Sequence, residues 1–373
     1  MTSLVNLANG DRLNLRVEGQ ILASESIKNG KTRQTQKEFA SVGEAQKACV
    51  KKEWESLKKG YVLQNANAKA GEASLHVYIG GGYTGALSFA GAGDELFVYK
   101  CGGYKEEESV DFLTRLSADG AIRGDIILPK PLAWQAERAG ENLLLDLDHD
   151  IFKFNPQTGE FTNVFKELKI KRNGDITSCV CASGEAAAFA AYGQIYVLRD
   201  GGFSSLGKYK TDSGCGAAFC VALSTDGAKL ALSCKQNEIK ILSTLNGEIL
   251  NEIKEGFGML SDVCFLNDGS LLGREYYGGS LVCFDAAGSR QTPAWMRGEC
   301  AKAQKICVST DGLRLALISY DKARIIDLKS GNLRLSFELS HVVKRCEAKF
   351  ECINGEEFLA VRTDYGCFSL YKI

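Results

Sequence analysis

Proline is scarce, with 4 in 373 residues, and histidine scarcer, with only His76, His149 and His341. There is no Cys-x-x-Cys pair either, so a zinc site of the usual spaced kind has few ligands to draw on. Nowhere do 18 apolar residues run together, which excludes a helical membrane span, and Met1 to Leu13 lacks the basic start and apolar run of an export signal. A soluble, cytoplasmic protein is expected. Neither sign of charge dominates: 45 Lys+Arg face 46 Asp+Glu, so nothing global argues for nucleic acid or an anionic membrane. The balance is uneven along the chain, since residues 1–63 hold 11 Lys+Arg against 7 Asp+Glu and the remainder 34 against 39. The 14 cysteines sit mostly beside apolar residues, as in "SCVCAS" and "KICVS", and read as reduced thiols packed in strands.

What the chain has in quantity is regular β patterning. From about residue 75, apolar and polar residues alternate in runs of five to seven, broken by Gly, Asp and Asn turns. The segments Ala222 to Leu250 and Cys307 to Leu335 align as strand, turn, strand, turn, strand, turn, strand. The first-turn glycines are Gly93, Gly140, Gly184, Gly227, Gly269, Gly312 and Gly355, spaced 47, 44, 43, 42, 43 and 43 residues apart. A second set, Gly120, Gly159, Gly201, Gly247, Gly288 and Gly331, marks the last turn of each unit and has no seventh member. This period predicts a mainly β fold: a seven-bladed β-propeller of four-stranded antiparallel blades over residues 74–373. The segment "SLHVYI", Ser74 to Ile79, is left over and is expected to supply the missing strand of the last blade. In period and strand order the region resembles the WD-repeat propellers, but "KILST", "CFDAA" and "IIDLK" stand where a Trp-Asp dipeptide would end the third strand.

Residues 1–63 predict a separate small α+β domain, joined by a linker at 64–73. Ser41 and Glu44 form a capping box that starts a helix, which should stop at Gly60 and bury Val42, Ala45, Cys49, Trp54 and Leu57. Gly30-Lys31-Thr32 suggests a phosphate loop, but Glu25 stands where the first glycine of such a loop belongs. The run Asn29 to Tyr61, with Gln34 or Gln36, Lys37, Phe39, Glu44, Ala45, Lys58, Lys59, Gly60 and Tyr61, resembles the later half of a WGR domain, a module of poly(ADP-ribose) polymerases and many bacterial proteins. The resemblance implies that Gly30-Lys31-Thr32 is a hairpin turn and that the source is bacterial. Ser24-Glu25-Ser26 replaces the Trp-Gly-Arg triplet, in a region that takes part in DNA contacts in the polymerases.

Candidate sites follow from these parts. Lys31, Arg33, Lys37, Lys51 and Lys52, with Lys58 and Lys59, are candidates for phosphate contacts to nucleic acid, although Glu25, Glu38, Glu44, Glu53 and Glu55 interleave with them. Gly80 to Gly85 matches Gly-x-Gly-x-x-Gly but leads into a strand pattern, so it reads as an entry into the first blade. Asp146, Asp148 and Asp150 lack the glycine and glutamate of a calcium loop and read as an acidic turn. Counting eight residues from each blade glycine gives Cys101, Asp148, Tyr192, Lys235, Tyr277, Tyr320 and Thr363. With Tyr276, Tyr365, Arg274 and Arg362 nearby, these positions suggest an aromatic rim of the kind that anchors protein partners. No catalytic constellation or cofactor motif recurs. The expected function is a non-enzymatic adaptor or scaffold for a protein partner; nucleic-acid association through the basic surface is the first alternative. A propeller hydrolase or lyase with a divalent metal in its channel is the second.

Overall fold

The computed structural model describes every residue except 1, 82–85, 106–107, 173–176, 212–218, 255 and 343. Strands β1 (Thr2–Asn6), β2 (Arg12–Glu18), β3 (Ile21–Lys28) and β4 (Lys31–Glu38) form an antiparallel meander. The β3–β4 loop is the two residues Asn29 and Gly30, with φ of 47° and 74°. That is the primed turn whose twist suits a hairpin, so Gly30-Lys31-Thr32 is turn and strand with no phosphate cradle. Helix α1 (Val42–Leu57) starts as its capping residues dictate: Ser41 Oγ accepts from Glu44 N at 3.2 Å, while the Glu44 carboxylate accepts from Ala40 N at 3.2 Å. Beyond its C-cap Lys58, Gly60 terminates it, with φ of 84° and an N–H to Leu57 O at 3.0 Å closing the final turn. Its buried stripe differs from the expected one. Ala45, Glu53, Ser56 and Leu57 are buried, Cys49 and Trp54 are half-buried, and Val42 is exposed.

The chain then forms β5 (Tyr61–Gln64) and β6 (Ala73–Tyr78) before entering the repeats. The first blade is β7 (Phe89–Ala92), β8 (Glu95–Lys105), β9 (Glu108–Ser117) and β10 (Ile122–Ile127). The second is β11 (Ala133–Ala139), β12 (Asn142–Leu147), β13 (Asp150–Phe154) and β14 (Phe161–Asn163), followed by the short helix α2 (Val164–Glu167). The third is β15 (Ser178–Ser183), β16 (Ala186–Ala191), β17 (Gln194–Arg199) and β18 (Gly202–Lys208). The fourth is β19 (Cys220–Leu223), β20 (Lys229–Lys235), β21 (Glu238–Ser243) and β22 (Ile249–Ile253). The fifth is β23 (Leu260–Phe265), β24 (Leu271–Glu275), β25 (Leu281–Phe284) and β26 (Arg290–Gln291). The sixth is β27 (Lys305–Val308), β28 (Arg314–Ser319), β29 (Lys322–Asp327) and β30 (Asn332–Glu338).

The last strands are β31 (Cys346–Ile353), β32 (Glu356–Thr363) and β33 (Cys367–Lys372). They do not form a separate four-stranded sheet, and here the expectation of seven equivalent blades needs correcting: six separate four-stranded sheets are present among the described residues. The remaining strands run β31-β32-β33-β6-β5-β1-β2-β3-β4 in one nine-stranded sheet. The leftover segment does pair with the last strand, with Val77 opposite Phe368 and His76 opposite Ser369. It does not end the sheet, because β5 pairs with its other edge.

The innermost strands β7, β11, β15, β19, β23, β27 and β31 neighbour one another in a ring that β31 closes against β7. All seven first-turn glycines have φ between 59° and 82°, a region where a side chain is strained, which explains their recurrence. Apolar clusters then fill the gaps between neighbouring sheets. One joins Phe89, Leu96 and Val98 of the first blade to Val62, Val77 and Phe368 of the nine-stranded sheet, so the ring is closed by packing as well as by pairing.

At that joint the contact is close. A Cβ on Gly120, which has φ of 85°, would lie 2.6 Å from Val62 and 2.7 Å from Leu75. Gly120→Ala combines left-handed strain with overpacking and is expected to destabilise the chain by about 2–4 kcal/mol. Alanine at Gly93, where nothing lies within 4 Å, should cost only the strain component. Urea midpoints of the two variants test this, and equal losses would contradict it.

Candidate functional site

A cavity of about 630 Å³ runs along the ring axis, lined by side chains of every innermost strand. At one end Asp262, Lys305 and Glu347 come together from three successive strands. Lys305 Nζ lies 3.3 Å from Asp262 and 3.0 Å from Glu347, and Arg274 Nε holds Asp262 at 2.6 Å. Burial pushes the Lys305 ammonium toward neutrality, but the two carboxylates outweigh it and hold its pKa well above the usual value. Farther along, Lys349 bonds Glu137 at 2.7 Å and Ala136 O at 2.5 Å. Glu351 accepts from Gly91 N at 3.2 Å, and burial lifts its carboxyl to about 7 despite the neighbouring Lys349. The lining thiols Cys264 and Cys307 are pushed up by burial, and Cys179 reaches about 12. They stay protonated at neutral pH and serve as packing, not as nucleophiles.

The channel group was open to repeat alignment. Cys220, Asp262 and Lys305 each stand seven residues before their blade glycine, the offset of one channel position in successive blades. Glu347, Lys349 and Glu351 alternate along β31, as residues on one face of a strand must.

The rim residues divide. Tyr276, Tyr277 and Tyr320 are exposed, Tyr277 by 72% and Tyr320 by 67%, and they occupy corresponding turns of the fifth and sixth blades. Both turns brace one segment: Ala303 N donates to Gly279 O at 2.9 Å, and Tyr320 N donates to Gln304 Oε1 at 2.8 Å. Tyr365 packs against Trp54 of α1, with ring centroids 4.5 Å apart and planes tilted by 41°, and belongs to the joint with the N-terminal strands. Two residues expected on the rim are not available there. Tyr192 is buried against Phe165, and Arg362 is fully buried, its guanidinium bonding the carbonyls of Thr363, Cys367, Gly80 and Tyr99. Arg274 is tied to Asp262. Of the other counted positions, Cys101 lies within β8 and Thr363 is buried at the end of β32.

The acidic turn is largely paired within the protein; of its buried side-chain atoms only Asp150 Oδ1 has no hydrogen-bond partner among the described residues. Asp146 accepts from Ser178 Oγ at 2.5 Å and His149 N at 3.0 Å, and burial raises it to about 6. Asp150 pairs with Lys130 at 3.2 Å and with Arg172. A calcium site would not place ammonium and guanidinium groups on its ligands. The Gly80 to Gly85 stretch falls partly outside the described residues.

On the N-terminal sheet β4 is an edge strand with every residue exposed, and Arg33, Thr35 and Lys37 alternate along one face of it. Lys52 from α1 reaches this face through Ser24, whose hydroxyl lies 2.6 Å from Lys52 Nζ and 2.7 Å from Thr35 Oγ1. Lys51 is exposed on α1 and Lys31 borders the hairpin. On the opposite face Glu25 accepts from Asn14 and Gln34, both at 3.0 Å.

The structure also assembles a group that the sequence concealed. Glu53, His76 and His341 are buried together, with donor atoms within 4.8 Å of one another. It is the one such group of three among the described residues, and it lies outside the channel. The signal for Glu53 was its register: Ala45, Cys49, Glu53 and Leu57 recur every fourth residue, so the carboxylate had to point inward.

No family model matches the chain, and no curated protein matches it. Among solved structures it is similar to selenomethionine-substituted virginiamycin B lyase from Staphylococcus aureus, at 13% identity and a TM-score of 0.56, over 80% of this chain and 98% of that one. That likeness supports the propeller fold. No helix among the described residues is long and apolar enough to cross a membrane.

The raised Glu351 carboxyl has a measurable consequence. The folded chain holds this proton more tightly than the unfolded chain, so the associated stability is full below pH 4.5 and is lost as pH rises through about 7. Glu351→Gln should therefore gain on the intact protein between pH 5 and 8, by about 1–2 kcal/mol once screening by channel water is allowed for. Urea midpoints across that range check it; a difference independent of pH would contradict it.

Proposed function

We propose that the chain is a non-enzymatic adaptor that docks a protein partner on the rim carrying Tyr276, Tyr277 and Tyr320. On this reading the strands β31, β32, β33 and β6 count as a seventh blade, in the manner of WD-repeat propellers, and the WGR-like N-terminal unit is a second interaction module. The observation that carries it is the pair of exposed turns braced on one connecting segment. Rigid aromatic side chains lose little conformational freedom on binding, and held in place they present apolar area that a partner can cover. Propeller folds suit this use, because the ring fixes the turns while leaving their tips free.

The channel supports a second reading, acid–base chemistry on a small molecule, because Glu351 titrates near neutrality beside Lys349 and Glu137. The virginiamycin B lyase likeness agrees with it at the level of the fold. A divalent metal in the channel has less to support it: Glu137, Asp262 and Glu347 are each paired with a lysine or arginine, and the group able to ligate a metal lies elsewhere.

Affinity purification of the intact chain from its native cell, beside Tyr277→Ala/Tyr320→Ala, with and without nuclease, separates the readings. The adaptor reading expects a protein that survives nuclease and is lost at least tenfold from the double variant, as removal of two interface aromatics implies. Retention of every partner by the double variant would overturn it. Loss of all partners with nuclease would instead move the site to the Lys31, Arg33, Lys37, Lys51 and Lys52 surface.

A further inference from the structure

Glu53, His76 and His341 come from three distant segments: α1, β6 and the turn that follows β30. His341 Nε2 lies 2.9 Å from Glu53 Oε1, and His76 Nε2 lies 3.9 Å from the same oxygen. The two rings stand nearly perpendicular, at 80° with centroids 5.3 Å apart, so both direct a nitrogen at the carboxylate without stacking. Donors bonded to one zinc ion at ~2.0–2.2 Å in tetrahedral array lie about 3.3–3.5 Å from one another, between the two separations seen here.

The surroundings are those of a ligand set. The second His76 nitrogen, Nδ1, is held by Ser369 Oγ at 2.6 Å, which fixes the ring and commits Nε2 to the cluster. Anchoring of the outer nitrogen by a neighbouring polar group is what orients metal-binding histidines. The edge of Tyr371 packs on the same ring at 5.8 Å, and its hydroxyl is occupied in accepting from Ser340 N at 2.8 Å. All three side chains are nearly inaccessible to solvent. A lone glutamate–histidine pair would satisfy Glu53; the second imidazole, aimed at the same oxygen from beyond hydrogen-bond distance, is left over by that account.

We propose that Glu53, His76 and His341 bind one divalent transition-metal ion, zinc by preference, and that the ion clamps α1 to the propeller. Two imidazoles and a carboxylate match zinc or ferrous iron and exclude calcium and magnesium, which take oxygen ligands. Zinc accepts three protein ligands with a fourth position for water or the second Glu53 oxygen, and needs no redox partner. Because the ligands stand at positions 53, 76 and 341, the ion ties the N-terminal strands to the far end of the chain, and its binding free energy becomes folding free energy.

The test is elemental analysis of the intact chain, refolded with zinc and desalted, beside Glu53→Gln and His341→Gln. One zinc per chain is expected, falling roughly tenfold or more in either variant. The many cysteines call for a control, so cobalt is then substituted for zinc. A visible ligand-field spectrum without a thiolate charge-transfer band supports the site. Substoichiometric zinc in the intact chain, unchanged content in the variants, or a thiolate band would overturn it. If neither variant folds, the cobalt spectrum of the intact chain decides alone: ligand-field bands with no thiolate band support the site, and their absence refutes it.

Discussion

Strand β6 is paired on both sides, by β33 on one edge and by β5 on the other, and the rest of the architecture depends on that double pairing. A ring of sheets needs its last member completed, because an unfinished sheet leaves a row of unpaired backbone groups. Residues from before the repeats supply that strand, so ends of the chain far apart in sequence must meet before the ring closes. The same strand then passes the ladder on to β5 and the N-terminal meander. The open edge moves outward to β4, where alternating lysine and arginine and a fully exposed surface suit a solvent-facing edge.

Around this seam the buried polar groups concentrate. Arg362 bonds four carbonyls that belong to β32, β33 and the first blade or its entry, and Glu53 meets two histidines of the closing segments. Each would be expensive to bury unsatisfied, so each specifies the closed arrangement over alternatives in which the ends are apart. The channel follows the same rule with Lys305 between Asp262 and Glu347, while burial pushes the Glu351 carboxyl up. The proposed rim surface and the titratable groups of the channel both lie away from this seam.

Much of the fold was legible because turn glycines at left-handed φ recur with the blade period, and Ser41 and Glu44 mark the helix start through hydrogen bonds that only local spacing requires. The merging of the last blade with the N-terminal sheet was not legible. Strand pairing between distant segments leaves no local pattern, and β5 looks the same whether or not β6 continues beside it. Side-chain placement was harder still. Tyr192 and Tyr320 share a repeat position and a positive φ, yet Tyr192 packs under α2, which has no α-helical counterpart in the other blades among the described residues. Arg362 looked like surface because arginine usually is, and its burial is set by carbonyls that converge only when the ring closes. Histidines 265 residues apart carry no spacing that a ligand motif would show, although the helical register of Glu53 pointed at the right place.

The pairing of β6 on both edges implies that the N-terminal strands and the propeller unfold as one cooperative structure. Native-state hydrogen exchange, resolved by segment across a denaturant series, tests it most directly. The amides of β5 and β6 are expected to exchange with the same free energy and denaturant dependence as those of β33. Exchange of β1–β5 and α1 as a separate unit, opening well below the free energy of β33, would contradict it.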